Sequence, residues 1–218
     1  MDKPILKKNL PVYELLFSDE EKEGLEFISL VKKPATDSTW VTFSESGTLQ
    51  KFAFQIQDSE KRNIAGAFMI PDLPIYRKDP DTGEEHYVVM SKQTIELMQQ
   101  KFAASNKWHN INQEHATIVN DTYVLENWII EDPLVDKSVK FGFSLPAGTW
   151  FGVVHIADEN YWRNFIKTGE VEGFSIEGLM SRSGVIGTKD RVLNGKFSSQ
   201  DKISLSELAE FIEIFNKK

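Results

Sequence analysis

Short apolar and β-branched runs, several alternating with polar residues at a period of two, dominate this chain and predict strands. They are Val12–Phe17, Leu25–Val31, Trp40–Phe43, Phe52–Ile56, Ile64–Ile70, Tyr87–Met90, Tyr123–Ile130 and Trp150–Ile156. Turn chemistry separates them, as in Asp79-Pro80-Asp81-Thr82-Gly83, where proline and glycine supply the backbone angles. A helical period takes over at Ser91–Ala104: Ser91 can cap it, and Ile95, Met98 and Phe102 form its apolar stripe. Asp158–Gly169 has an acidic start, an apolar stripe and a glycine stop, and predicts a second helix. The capping box Ser204-Leu205-Ser206-Glu207 opens a final amphipathic helix to about Phe215. Trp108–His115 is expected to be irregular or extended, residues 137–148 mobile, and residues 184–199 a loop. Many strands with few helices predict an α+β fold with a mainly antiparallel β core and flanking helices. A doubly wound parallel sheet would need a helix after most strands. Residues 1–200 are read as one domain, with the strands of residues 10–60 an extension or part of the core, and residues 201–218 as a terminal helix.

One further strand, from Phe174 to Ser181, carries the candidate chemistry. In Gly173-Phe174-Ser175-Ile176-Glu177-Gly178 the apolar residues alternate with Ser175 and Glu177, so these two share a face. A glycine at either end marks a bulge or a close backbone approach. Such a serine either presents its hydroxyl to a substrate or simply faces water. A nucleophilic serine needs a base to take its proton. Of the four histidines, His155 lies in an apolar run and is expected to be packed, and His86 flanks an acidic turn-rich loop. His115, between a helix and a strong strand, is preferred narrowly over His109. His109, Glu114 and His115 match no standard zinc spacing.

Composition narrows the classes. A net charge of −8 disfavours a dedicated nucleic-acid binder, which needs clustered Lys and Arg. The absence of cysteine excludes disulfides, thiolate catalysis and Cys-based zinc sites. No apolar run approaches a membrane span, and no phosphate loop, dinucleotide fingerprint or metalloprotease helix motif is present.

Several motifs, taken together in order, resemble the XkdF-like group of phage prohead maturation proteases. They are Ile28-Ser29-Leu30-Val31-Lys32-Lys33-Pro34-Ala35, His115 after a helix, Glu126-Asn127-Trp128-Ile129-Ile130-Glu131-Asp132, Pro146-Ala147-Gly148-Thr149-Trp150 and Gly173–Gly178. That group is similar in fold to herpesvirus assemblin, which implies a β-barrel-like core surrounded by helices. The resemblance implies a serine endopeptidase with Ser175 as nucleophile and His115 as base. It offers Glu126 as the residue that orients His115, with Glu177 and Asp190 as rivals, and Arg182 and Arg191 as supports for an oxyanion loop. It implies cleavage of phage scaffold protein, major capsid protein and the enzyme itself, inside the assembling prohead in the host cytoplasm. No metal or organic cofactor, nucleic acid or membrane enters that mechanism, and self-association is left open. A catalytically silent capsid-assembly protein on the same fold, or a hydrolase of small molecules, is the alternative.

Overall fold

A computed structural model describes residues 10–16, 24–32, 55–58, 61–79, 82–179 and 181–185. The sequence-predicted strand at residues 40–43, the loop beyond residue 185, and the terminal helix lie outside these residues, as do Asp190 and Arg191. Twelve strands are described: β1 Val12–Leu16, β2 Gly24–Val31, β3 Gln55–Asp58, β4 Asn63–Met69, β5 Ile75–Lys78, β6 Glu85–Val89, β7 Ile111–Gln113, β8 Thr117–Ile118, β9 Thr122–Ile129, β10 Trp150–Ile156, β11 Gly173–Leu179 and β12 Ser181–Val185. The helices are α1 Lys92–Ala104, α2 Lys137–Lys140 and α3 Glu159–Tyr161, the last continued by a π-helical turn, Trp162–Ile166. The fold is α+β, mostly strands.

The strands form three four-stranded sheets, ordered β12-β1-β6-β5, β3-β4-β10-β9 and β11-β2-β7-β8. Pairing is antiparallel except at β1–β6 and β2–β7. Among the described residues no pairing closes the sheets into the expected barrel.

The second sheet is the wall shared by two cores. Along β4, Ile64 and Phe68 join one core while Ala65 and Ala67 join the other. A strand buried on both faces needs a continuous apolar run, which Ile64–Ile70 provides. The larger core collects Ile28, Leu30, Ile111, Phe174 and Trp150 under the α1 stripe of Ile95, Met98 and Phe102. Ser91 caps α1 as expected, its hydroxyl accepting from the Thr94 N–H at 3.3 Å. The other core takes in Phe143 and Leu145, which are 8% and 3% exposed, so the segment expected to be mobile contributes buried side chains. Apolar spacing too short to register as a period hid these two, and likewise hid the short strands β5 and β7.

β1 and β2 are integral to the fold. β1 runs between β12 and β6, and β2 between β11 and β7. Alternation on the third sheet holds from Phe27 to Val31 of β2; beyond a register shift Leu25 also enters the large core. Phe174, Leu30, Ile28 and Ile111 face the large core. The residues between them face the other way, and these build the site.

Candidate active site

Cross-strand register places the polar residues of the third sheet in one row. Ser175 of β11 lies opposite Ser29 of β2, and Ser29 lies beside Asn112 of β7. Directly paired residues put their side chains on the same face, so all three project away from the large core. Glu177 follows Ser175 at two residues and shares that face. The register shifts between Glu177 and Gly178, just beyond the row, and the extra residue there is Glu26 of β2, not a glycine of β11.

His115 arrives over this row from the turn between β7 and β8. The turn is closed by the Ala116 N–H, which donates to the Gln113 carbonyl at 3.0 Å. Both Glu114 and His115 have left-handed backbone, with φ of 50° and 59°. Neither is glycine or asparagine, so each costs on the order of 1–2 kcal/mol there. Contacts with β2 and β11 offset that cost. The Glu114 N–H donates to the Leu30 carbonyl at 3.1 Å, and the Glu114 carboxylate accepts from the Lys32 N–H at 2.6 Å. His115 Nδ1 lies 2.9 Å from Ser29 Oγ and 3.3 Å from Glu177 Oε2. The same Glu177 oxygen accepts from Asn112 Nδ2–H at 3.0 Å.

Burial grades the group from floor to rim. Ser29 is fully buried, Asn112 and Ser175 nearly so, and the side chains of His115 and Glu177 are 42% and 41% exposed. An ionised carboxylate only accepts hydrogen bonds, so Glu177 selects the tautomer with the proton on Nδ1. That leaves the Nε2 lone pair to accept a proton. A carboxylate on one imidazole nitrogen with the other free for a hydroxyl is the arrangement of serine hydrolase triads. Ser175 stands in the row beside these groups, and among the described residues it makes no hydrogen bond to His115. Such bonds are often long without substrate.

Beside the turn lies an open depression lined by Lys32, Gln113, Glu114 and Glu170, with Lys32 Nζ 3.2 Å from the Glu170 carboxylate. Nearby, burial and then the Glu114 carboxylate push the Tyr161 phenol up.

The structure does not bring Glu126 to His115. Glu126 is on β9, the edge strand of a different sheet, and its carboxylate pairs with Lys137 Nζ. It shares a face with Trp128, as alternation required, because Lys137 also sits 5.5 Å from the Trp128 ring. That face is closed by Asp136, which accepts from Trp128 Nε1–H at 3.1 and 3.0 Å. Asn127 turns the other way and accepts from Gln99 Nε2–H and Trp150 Nε1–H, both at 3.0 Å. The Glu-Asn-Trp stretch is thus a structural joint. The carboxylate at His115 is Glu177.

The other histidines stand apart from the row. His109 is exposed, its ring 5.5 Å from that of Tyr123. His155 is half-buried with Nδ1 2.9 Å from Asn63 Oδ1, and burial and then Arg62 hold its pKa below the usual imidazole value. His86 is buried on β6 against Tyr13. No three of His, Asp and Glu gather into a metal-binding group among the described residues.

Ser29 and Asn112 were not singled out from the sequence as site residues. The available signal was a lone serine in the apolar run Leu25–Val31, which alternation sends to the face opposite Ile28 and Leu30. Only the register reveals that this face also carries Ser175.

Neither a search of curated proteins nor a search of solved structures returns a match. A family model described as "Putative phage serine protease XkdF" matches residues 52–183, more than half of the 218 residues, a span that includes His115, Ser175 and Glu177, and the chain belongs to this family.

Proposed function

We propose that the chain is a serine endopeptidase of phage capsid maturation, with Ser175 as nucleophile, His115 as general base and Glu177 as the carboxylate that orients it. The observation that carries this reading is His115 Nδ1 held by Glu177 directly above the row that contains Ser175.

In this mechanism Ser175 Oγ attacks the scissile carbonyl as His115 Nε2 takes its proton. The tetrahedral oxyanion collapses to an acyl-enzyme, and His115 gives the proton to the leaving amine. Water, deprotonated by the same nitrogen, then hydrolyses the ester. Glu177 stabilises the imidazolium formed in each half-reaction, and Asn112 keeps its carboxylate in place. Backbone N–H groups near Ser175 are the donors for the oxyanion. The open depression at Lys32 and Gln113 gives an extended chain access to the rim, which suits a protein substrate better than a closed pocket would. The substrates are the scaffold protein, the major capsid protein and the enzyme itself, met inside the assembling prohead in the host cytoplasm.

A fluorophosphonate probe tests the nucleophile. The purified chain is labelled, digested and mapped by mass spectrometry, and co-expression with the scaffold and capsid proteins supplies fragments for sequencing. A label on Ser175 and discrete fragments are expected. A label on Ser29 would move the nucleophile to β2. An unlabelled, folded chain that leaves both partners intact would favour a catalytically silent assembly protein.

A further inference from the structure

The family match begins at residue 52, yet the site is joined by a strand from before it. β11 bears Ser175 and Glu177, β7 leads into His115, and the two do not pair with each other. β2 lies between them and pairs with both. Its midpoint on the polar face is Ser29, which is fully buried and has its hydroxyl oxygen 2.9 Å from His115 Nδ1, closer than the Glu177 carboxylate at 3.3 Å.

We propose that Ser29 is a positioning residue for the catalytic histidine: its buried hydroxyl accepts from His115 Nδ1–H alongside Glu177, fixing the ring and its tautomer over Ser175. This inference rests on the reading of His115 as the base.

The proton assignment follows from the carboxylate. If Ser29 donated to an unprotonated Nδ1, the Nδ1 lone pair would face the negative Glu177 oxygen at 3.3 Å, which is repulsive. With the proton on Nδ1, that one N–H is shared between two acceptors, and Nε2 keeps the lone pair the reaction needs. Asn112 strengthens the assignment by donating to the same Glu177 oxygen, which holds it as an acceptor.

Ser29 also has a mechanical role. His115 sits in a left-handed turn that its own backbone disfavours. Beyond the backbone bond to Leu30 and the Glu114 contact with Lys32, the turn is held at its histidine by Ser29 and Glu177. Strained backbone persists where the surroundings over-determine it, and here one strand supplies most of the restraint. Ser29 is too deeply buried to meet a scissile bond itself, so its effect passes through His115.

The test uses the full chain with Ser29→Ala and Ser29→Thr. The first removes the acceptor; the second restores it. Cleavage of capsid substrate should lose about 10- to 100-fold in kcat in Ser29→Ala with KM little changed, the size expected for one hydrogen bond to a group that becomes charged. Ser29→Thr should recover most of it. Nitrogen NMR of the His115 ring reports the tautomer without any substrate. The Nδ1–H form should dominate in the wild type and Ser29→Thr, and its ring signals should shift in Ser29→Ala, where Glu177 is left as the sole acceptor at Nδ1. Ser175→Ala serves as the control and should leave the ring signals unchanged. A dominant Nε2–H form in the wild type would overturn the proposal, and so would a Ser29→Ala chain with both ring signals and kcat unaltered. Should Ser29→Ala fail to fold, the wild-type and Ser29→Thr spectra still decide. A wild type without proteolytic activity but with the expected tautomer pattern would sink the protease reading, and the catalytic role of Ser29 with it, while leaving its hydrogen bond to the His115 ring in place.

Discussion

Two glutamates on strands, Glu126 on β9 and Glu177 on β11, look alike in the sequence and end in opposite settings. Each lies on a sequence-predicted strand, and each shares its face with a residue that suggests chemistry: Trp128 for one, Ser175 for the other. Glu126 lies at a sheet edge, half-exposed, paired with Lys137. Glu177 lies above buried serines, accepts from Asn112 and meets His115. The difference is made by neighbouring strands. β9 is bordered by β10, whose side chains serve two apolar cores, whereas β11 is bordered by β2, which adds a second serine and brings β7 and its histidine within reach. A carboxylate becomes an orienting group through what the adjacent strands carry, since only a fixed neighbour can turn charge into direction.

The sharpest way to break this comparison is to remove the groups assigned to the chemistry. Ser175→Ala and His115→Ala should each lower the cleavage rate of capsid substrate by on the order of 10⁴-fold or more, with unchanged circular dichroism. Retained cleavage in either would dissolve the site around which the comparison is drawn.

The two carboxylates come next. Glu177→Gln keeps a hydrogen-bonding side chain but cannot stabilise an imidazolium, so kcat should fall by about 10²- to 10⁴-fold. Glu126→Gln should stay within about twofold of the wild type, because its partner is a surface lysine. Steady-state kinetics on both variants decide the matter, and a reversed ranking would return Glu126 to the triad.

Substitution inside the shared wall should act on stability instead. A Cβ added at Gly152 would lie 2.2 Å from Phe68 Cζ and 3.1 Å from the Glu126 carbonyl oxygen. Phe68 is itself wedged edge-on against Trp150 and Phe174, with centroids 5.3 and 4.9 Å away. Gly152→Ala should therefore destabilise by about 1–3 kcal/mol, seen as a lower midpoint in urea. An unshifted midpoint would mean that the wall yields more readily than its packing implies.

Breaking the ion pair of Glu126 with Lys137→Met should matter least among the substitutions, at about 0–1 kcal/mol, and less in high salt. A larger loss would make β9 more than a passive edge.

The pH dependence of the second sheet gives the finest contrast. His155 is held below the usual imidazole pKa by burial and then by Arg62, so the unfolded chain binds the proton more readily. Its contribution to stability is present above about pH 6.5 and is lost as pH falls through the lowered folded value. The drop in melting temperature between pH 7.5 and pH 5.5 should shrink slightly in His155→Gln. An unchanged drop would assign the acid sensitivity to other groups.

What the sequence determined by itself was local. Short apolar and β-branched runs placed β1, β2, β4, β6, β9, β10 and β11 close to their observed bounds, and in β11 alternation recorded which face is buried. Ser91 and the Ile95, Met98 and Phe102 stripe fixed α1 for the same reason at helical period. The placing of Ser175 and Glu177 on one face was legible from six residues, whereas the irregularity opposite Gly178 falls on β2, at Glu26. Tertiary structure decided the rest. The acidic start at Asp158 was visible, but the lapse into a π-helical turn at Trp162–Ile166 was not. Ser29 and Asn112 could be recognised only once β2 had been set between β11 and β7, and Glu126 could be set aside only once β9 was found in another sheet. The physical reason is that a side chain's face depends on its own strand, whereas its partners depend on register between strands far apart in the chain. Ser29 and His115 are separated by 86 residues, and only the ladder through β2 brings them to 2.9 Å.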